Sequence, residues 1–383
     1  MDTVQVIVEC GVGPEKEKIL RSLGEIKYAL PMINSYVLEL PKQDLHKLSG
    51  IKEIISFYKN TRITAQMNVA RKTVKAEAAQ KAGFTGGGVG IAILDTGVDP
   101  VDDLTKPDNR ITAFKNFVGT NQKPHDDNGH GTHVAAICAG NGFCSGGKYM
   151  GIAPGANIIG VKILDEDGSG GAAEVLAGLQ WMMDNAKRYN IRVCNLSIGT
   201  SEAGMSDPLV KAVNAAWKHG IVVVTAAGNN GPDTGSVTSP GISRKVITVG
   251  ASDDHFNVQI WGDTLINFSG RGPTPECIVK PDVIAPGANI TSCLSQNASM
   301  KRSGKAQKVS DDYIKMSGTS MSTPIVTGAV ALLLQKHPNL SPDDVKFCLK
   351  KCAVSMNYSP NQQGWGLIDI EKLLEGDAVY ARK

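Results

Sequence analysis

The sequence predicts a doubly wound parallel α/β domain preceded by a small α+β unit. Three observations carry this. From residue 84 onward, short runs rich in Val and Ile alternate with helix-like stretches; the runs are Val89–Leu94, Ile158–Leu164, Ile191–Leu196, Ile221–Ala226 and Val246–Val249. Continuous apolar runs of this length suit parallel strands buried on both faces. Residues 1–60 follow another order: strand, helix, two strands, helix, strand. Between the two, residues 61–80 lack a strong period and are rich in polar and basic residues. That stretch reads as an exposed connector, where proteolytic nicking concentrates.

Each element has its own signal. Val4–Val8 is a short apolar strand, and Glu15–Leu23 carries Ile19, Leu20 and Leu23 at helical spacing. Ile26–Leu40 holds two strand-like runs broken near Pro31. Lys42–Leu48 reads as a second short helix and Ile51–Tyr58 as a last strand. The order is the split βαβ, ferredoxin-like pattern. In the larger part, helices are expected over His133–Ala139, Ala172–Arg188, Asp207–His219, Thr319–Lys336 and Pro342–Cys352. Their alternation with strands implies right-handed crossovers on a parallel sheet. No internal repeat appears.

Composition excludes several classes. The chain has 383 residues, 42% hydrophobic and 20% charged, enough to bury a sizeable core and unlike a disordered chain. Forty basic against 37 acidic residues, net +3, is too even a balance for nucleic acid or an acidic membrane surface. Aromatics at 5% offer little for base stacking. No run approaches the roughly 18 apolar residues needed to span a bilayer. The start, Met-Asp-Thr-Val-Gln-Val, has no basic segment followed by an apolar one, so a cytoplasmic location is expected. Eight cysteines form no CxxC pair and are expected to be reduced and mostly buried. Cys348 and Cys352, one helical turn apart, have a spacing that a metal or redox pair could use.

Asp95 ends the first strand of the larger domain, and open α/β sheets carry their sites at the C-terminal ends of strands. Alone, it reads equally as a turn or helix cap. Gly86–Gly90 precedes that strand, whereas a dinucleotide fingerprint follows its strand; it reads as a lead-in turn. His125, His130 and His133 cluster. His130 lies just before a helix of small residues, so its ring can project from the helix start. A metal site on His130 and His133 lacks further ligands at usual spacing, and His133 reads as packed within its helix. Ser320 follows Gly318-Thr319 at the start of a helix with Pro324 in its first turns. Backbone N–H groups and the helix's positive end lie beside such a serine; the alternative is an N-cap. Asn229 directly follows an apolar strand, as an amide donor into the same crevice or as a turn residue. Together these groups supply a nucleophile, a base, an acid that orients the base and an amide donor, the set needed for acyl transfer by a serine.

Asp95-Thr-Gly, His130-Gly-Thr-His and Gly318-Thr-Ser320-Met resemble the signature blocks of subtilisin-like serine proteases, the subtilases, over about residues 84–370. The chain order Asp, His, Ser is the subtilisin order. The resemblance implies a serine endopeptidase in which Asp95 holds the imidazole, His130 is the base and then the acid, and Ser320 attacks. Asn229 and the Ser320 N–H then donate to the oxyanion. Gly168, Ser169, Gly170 and Gly171, with Ser197, Ile198 and Gly199, resemble two strands that sandwich an extended peptide. Ser197–Gly199 and Ala226, Ala227 and Gly228 would wall the pocket for the residue before the cut bond (P1), leaving room for a medium or large apolar side chain. Thr238, two before Pro240, would sit toward its base and shorten it.

The chemistry of this family implies no cofactor. Gly140–Gly151 departs from the calcium loop of secreted relatives, so structural calcium has no assigned ligands. The block Asn267–Pro273 and the cysteine content resemble the AprX-type intracellular branch. Residues 1–66 resemble a subtilase prodomain, a folding aid and intramolecular inhibitor whose tail enters the cleft; residues 67–383 would form the catalytic domain. Self-cleavage is expected within Thr61–Lys72. The implied partners are protein or peptide substrates, with no nucleic acid and no membrane. Two rival readings are a catalytically silent scaffold locked by its own prodomain, and a metal-dependent hydrolase using the His125–His133 cluster.

Overall fold

Strand and helix alternate through most of the computed structural model, which describes residues 3–59, 62–65, 71–200, 204, 207–254, 264–296, 298–299 and 307–375. The N-terminal part contains β1 (Thr3–Glu9), α1 (Pro14–Arg21), β2 (Glu25–Leu30), β3 (Ser35–Pro41), a 3₁₀ helix at Lys42–Gly50 and β4 (Ser56–Lys59). Its strands are antiparallel in the order β2-β3-β1-β4. A 3₁₀ turn at Pro31–Ile33 and Asn34 at φ 53° reverse the chain between β2 and β3, at the break expected near Pro31. α1 starts on a proline, with Glu15 and Glu17 in its first turn and Lys18 and Arg21 in its last, the order a helix dipole favours. The second helix is 3₁₀ rather than α. Only Leu48 of it is buried, so no apolar stripe rewards a full α-helix.

Successive side chains of a strand point to opposite faces, and here both faces are buried. Val6, Val8, Leu38 and Leu40 pack with Leu20, Tyr36 and Leu48 in a small core. Ile7 and Val37, with Leu30 and Ile33, join the main core instead.

The rest of the chain begins with β5 (Arg62–Ala65), α2 (Ala76–Lys81), β6 (Gly90–Asp95), α3 (Asp102–Thr105), β7 (Ile111–Asn116), α4 (His130–Ala139), β8 (Asn157–Lys162) and β9 (Ser169–Gly171). It continues with α5 (Ala172–Asn185), β10 (Ile191–Leu196), β11 (Ile198–Gly199), α6 (Pro208–Lys218), β12 (Val222–Ala226), β13 (Ile247–Asp253), β14 (Thr264–Leu265) and β15 (Val283–Pro286). The large sheet runs β14-β13-β12-β10-β6-β8-β7, with β15 also on β13. Every pair is parallel except β13 with β14. The chain leaves β6 for β7 and then β8 on one side and later crosses to β10 on the other, which makes β6/β10 a topological switch point. In open α/β sheets the site crevice lies there, at the carboxyl ends of the strands.

α7 (Thr319–Lys336) is buried continuously from Thr319 to Leu334, as befits a helix without a polar face. α8 (Pro342–Cys352) starts on a capping box between Ser341 and Asp344. Among the described residues no helix is long and apolar enough to cross a membrane.

The expected strands and helices are present within a few residues of their expected ends, except that the strand expected over Ile51–Tyr58 begins only at Ser56. β7 and β15 carried no strand signal. β7 reads Ile-Thr-Ala-Phe-Lys-Asn and is half-exposed at the sheet edge, and β15 is four residues long and ends on a proline. The exposed-connector reading of residues 61–80 is corrected. Arg62–Ala65 pairs as a strand, and Thr73, Val74, Ala76 and Ala79 are buried. That burial comes from partners distant in sequence, which local composition does not register. Within the expected cleavage segment, residues 61 and 66–70 lie outside the described residues.

Candidate active site

Asp95 is the last residue of β6 and fully buried. The Thr96 N–H donates to its Oδ1 at 2.7 Å. His130 is the first residue of α4, which begins three residues earlier than the expected His133, after a left-handed Gly129 at φ 105°. Its Nδ1 donates to Asp95 Oδ1 in a short contact, with both side chains buried. That bond turns Nε2 away from the carboxylate and leaves it as the basic nitrogen.

A second acid organises this corner. Asp126 accepts from Thr96 Oγ1 at 2.9 Å and Gly129 N at 2.8 Å on one oxygen. Its other oxygen accepts from Thr132 N at 2.8 Å and Thr132 Oγ1 at 2.6 Å. Burial pushes this carboxyl above its ordinary range, against the pull of those donors. Asp126 therefore ties the turn before His130 to the residue after Asp95. The His130 N–H donates to Asn128 Oδ1 at 3.2 Å. Sequence reasoning missed both residues; the one available signal was the turn-forming run Asp126-Asp-Asn-Gly129.

Ser320 is the second residue of α7. Pro324 lies in the same helix and has no N–H for the carbonyl four residues earlier. That carbonyl belongs to Ser320, and it accepts instead from Ser197 Oγ at 2.8 Å. In return the Ser320 hydroxyl donates to the Ser197 carbonyl at 3.1 Å. Beneath them, Asn195 Nδ2 donates to Ser197 Oγ at 2.9 Å and Thr327 Oγ1 to Asn195 Oδ1 at 2.8 Å. Ile93 pairs with Asn195 across β6 and β10, so the chain ends at Asp95 and Ser197 emerge at the same level of adjacent strands. Asn229 follows β12, and its Oδ1 accepts from Thr319 N and Thr319 Oγ1, both at 3.0 Å. The amide oxygen is committed to the start of α7, which leaves the NH₂ end to donate.

The three histidines do not converge. His133 is buried, with Nε2 against the Ile314 carbonyl at 3.2 Å, and burial holds its pKa down at about 3. His125 is turned to the Lys123 carbonyl at 2.8 Å. Among the described residues no group of three or more His, Cys, Asp or Glu could hold a metal ion. None of the eight cysteines is in a disulfide, and six of them are buried. Burial pushes the Cys352 thiol up to about 12, away from the thiolate that metal binding or redox chemistry needs.

β5 lies between β9 and β11, antiparallel to both. Arg62, Ile63 and Thr64 pair with Gly171, Gly170 and Ser169, while Thr64 and Ala65 pair with Gly199 and Ile198. The two segments singled out as a peptide sandwich thus hold a stretch of the chain itself. Beside them, Ser197–Gly199 and Ala226–Gly228 face each other across Thr238. A Cβ at Gly199 would stand 2.3 Å from Thr238 Oγ1, and one at Gly228 2.5 Å. Both glycines are needed for that close approach.

A doubly wound sheet with these groups at its switch point defines an α/β serine hydrolase class. Residues 86–366 match the family model described as the subtilase family. The chain is 40% identical over 368 residues to Serine protease AprX of Bacillus subtilis (strain 168), covering 92% of this chain and 82% of that protein. It is 36% identical over 298 residues to Subtilisin Savinase of Lederbergia lenta, covering 78% and 95%. It is 33% identical over 336 residues to Alkaline elastase YaB of Bacillus sp. (strain YaB), covering 87% and 78%. The chain belongs to the subtilase family and is a serine protease.

Proposed function

We propose that the protein is an endopeptidase made as a self-processing precursor, with Asp95, His130 and Ser320 as its triad. His130 takes the Ser320 proton as the hydroxyl attacks the peptide carbonyl, then gives it to the leaving amine. Asp95 holds the ring in the tautomer that keeps Nε2 basic. The resulting acyl-enzyme is hydrolysed by water through the same groups in reverse. Charge on the carbonyl oxygen is met by the Asn229 amide and by the Ser320 N–H in the first turn of α7. No metal takes part in this reading.

The observation that carries the proposal is β5. An extended stretch of the chain fills the place between β9 and β11 where a substrate would add as a strand, an interaction that is largely backbone and sequence-tolerant. Residues 1–66 then act as an inhibitory, ferredoxin-like prodomain whose tail occupies the cleft, and residues 67–383 as the catalytic domain. The cut falls within Thr61–Lys72. Thr238, wedged between Gly199 and Gly228, favours a small or medium apolar P1 side chain over a large one. The substrates are proteins or peptides.

The test uses the full chain. Wild type should lose its N-terminal unit by mass spectrometry and then react with a serine-directed fluorophosphonate. Ser320→Ala should stay whole and unlabelled, with activity lower by about four to six orders of magnitude. A wild type that stays whole and unlabelled overturns the proposal. Catalysis abolished by a chelator, with no labelling by the serine probe, would favour metal-dependent hydrolysis instead.

A further inference from the structure

Lys162 ends β8, is 2% exposed, and stands opposite Asp95 in the β6/β8 register. An ammonium group has three protons to donate, and here each goes to a different segment. One goes to the Thr96 carbonyl at 2.6 Å, beside Asp95. One goes to Asp127 Oδ1 at 2.5 Å, in the turn that leads to His130. The third goes to the Leu164 carbonyl at 2.9 Å. Leu164 opens the loop to β9, and that loop is closed by Asp165 N on the Ser169 carbonyl at 2.8 Å and Ser169 N on Asp165 Oδ1 at 2.9 Å.

We propose that Lys162 is a positioning residue for peptide hydrolysis, joining the Asp95 strand end, the His130 turn and the substrate-pairing strand through one buried cation. The inference rests on the protease reading above. A lysine carried into the interior loses its hydration and is held only by its bonds, so a structural role alone would also explain its retention. A second buried lysine separates the two roles. Lys280 is 1% exposed and donates to the Val246 carbonyl at 3.0 Å, Thr248 Oγ1 at 2.8 Å and Asp282 at 2.6 Å. It is as well bonded as Lys162, but Val246 precedes β13, at the edge of the sheet opposite the strand ends that carry the site.

The experiment compares Lys162→Met, Lys280→Met and Asp127→Asn in the full chain, with kcat and KM for a peptide substrate expressed per fluorophosphonate-labelled serine. Counting labelled serines removes losses from poor folding. Lys162→Met should lower kcat about 10- to 100-fold, the scale of a misplaced catalytic group, and raise KM because the β9 loop is released. Asp127→Asn removes the negative charge from the His130 arm alone while keeping an acceptor oxygen, so kcat should fall about threefold to tenfold with KM unchanged. Lys280→Met should lower the melting temperature and leave both constants per labelled serine unchanged. Lys162→Met with wild-type constants, or Lys280→Met with an equal loss, overturns the proposal. Should Lys162→Met fail to fold, an Asp127→Asn variant with wild-type kcat overturns it. A wild type that takes no label sinks the protease reading itself, a different result from any of these.

Discussion

The two sheets differ in what covers their faces. The parallel sheet is sandwiched by its own elements, with α7 filling the centre of the core. The N-terminal sheet covers one face with α1 and the 3₁₀ helix and lays the other on α5 and α6. Ile7, Leu30, Ile33 and Val37 supply the apolar part of that contact. Its rim is polar: Met32 N donates to Gln180 Oε1 at 3.1 Å, Lys211 pairs with Glu9 at 2.5 Å, and Tyr28 packs edge-on to Phe117 at 6.1 Å. The larger body therefore owns its core and its site. The smaller one relies on the larger to bury one face of its sheet.

Catalysis and docking should then fail separately. Asn229→Ala should reduce kcat about 10²- to 10³-fold, the loss seen when one oxyanion donor is removed, with no change in how the N-terminal unit docks. A drop in kcat under tenfold would remove Asn229 from the site. Ile7→Asp puts a charge into the borrowed face. Docking should weaken roughly 30-fold or more, about 2 kcal/mol, read as faster fluorophosphonate labelling of the uncut chain. Val8→Asp, on the unit's own core, should instead make residues 3–59 sensitive to added protease as a block. Identical behaviour of these two variants would break the distinction between the faces.

Smaller effects sharpen the picture of the larger body. Thr238→Gly empties the space between Gly199 and Gly228 and should shift preference toward large P1 side chains by roughly 10-fold or more, measured on a peptide series. His133 gives a pH signature. Burial lowers its pKa from 6.5 to about 3 in the folded chain. Below about pH 6.5 the unfolded chain binds a proton that the folded chain refuses, so stability falls as pH falls toward 3. His133→Gln should flatten the melting temperature across that window. An unchanged slope would assign the acid sensitivity to other groups.

Much of this was legible in the chain. α7 and α8 have the ends the sequence predicts, because Gly318, Ser341 and Pro342 mark helix starts locally. Asp95, His130, Ser320 and Asn229 stood out because the residue types at strand ends and helix starts are chemically telling. Asp126, Asn128, Asn195 and Lys162 did not stand out. Their work lies in bonds to Thr96, Glu166, Thr327 and Leu164, and their residue types are common in turns and strands.

The sequence alone determined the alternation of strands and helices, the likeness to the subtilases and the identities of the chemical groups. Those depend on local periodicity and short motifs. Tertiary structure decided that His130 rather than His133 meets Asp95, that Ser197 takes the carbonyl left free by Pro324, and that residues 62–65 lie between β9 and β11. These are contacts between segments 35 to 135 residues apart, set by sheet order and helix packing, and no local preference encodes them.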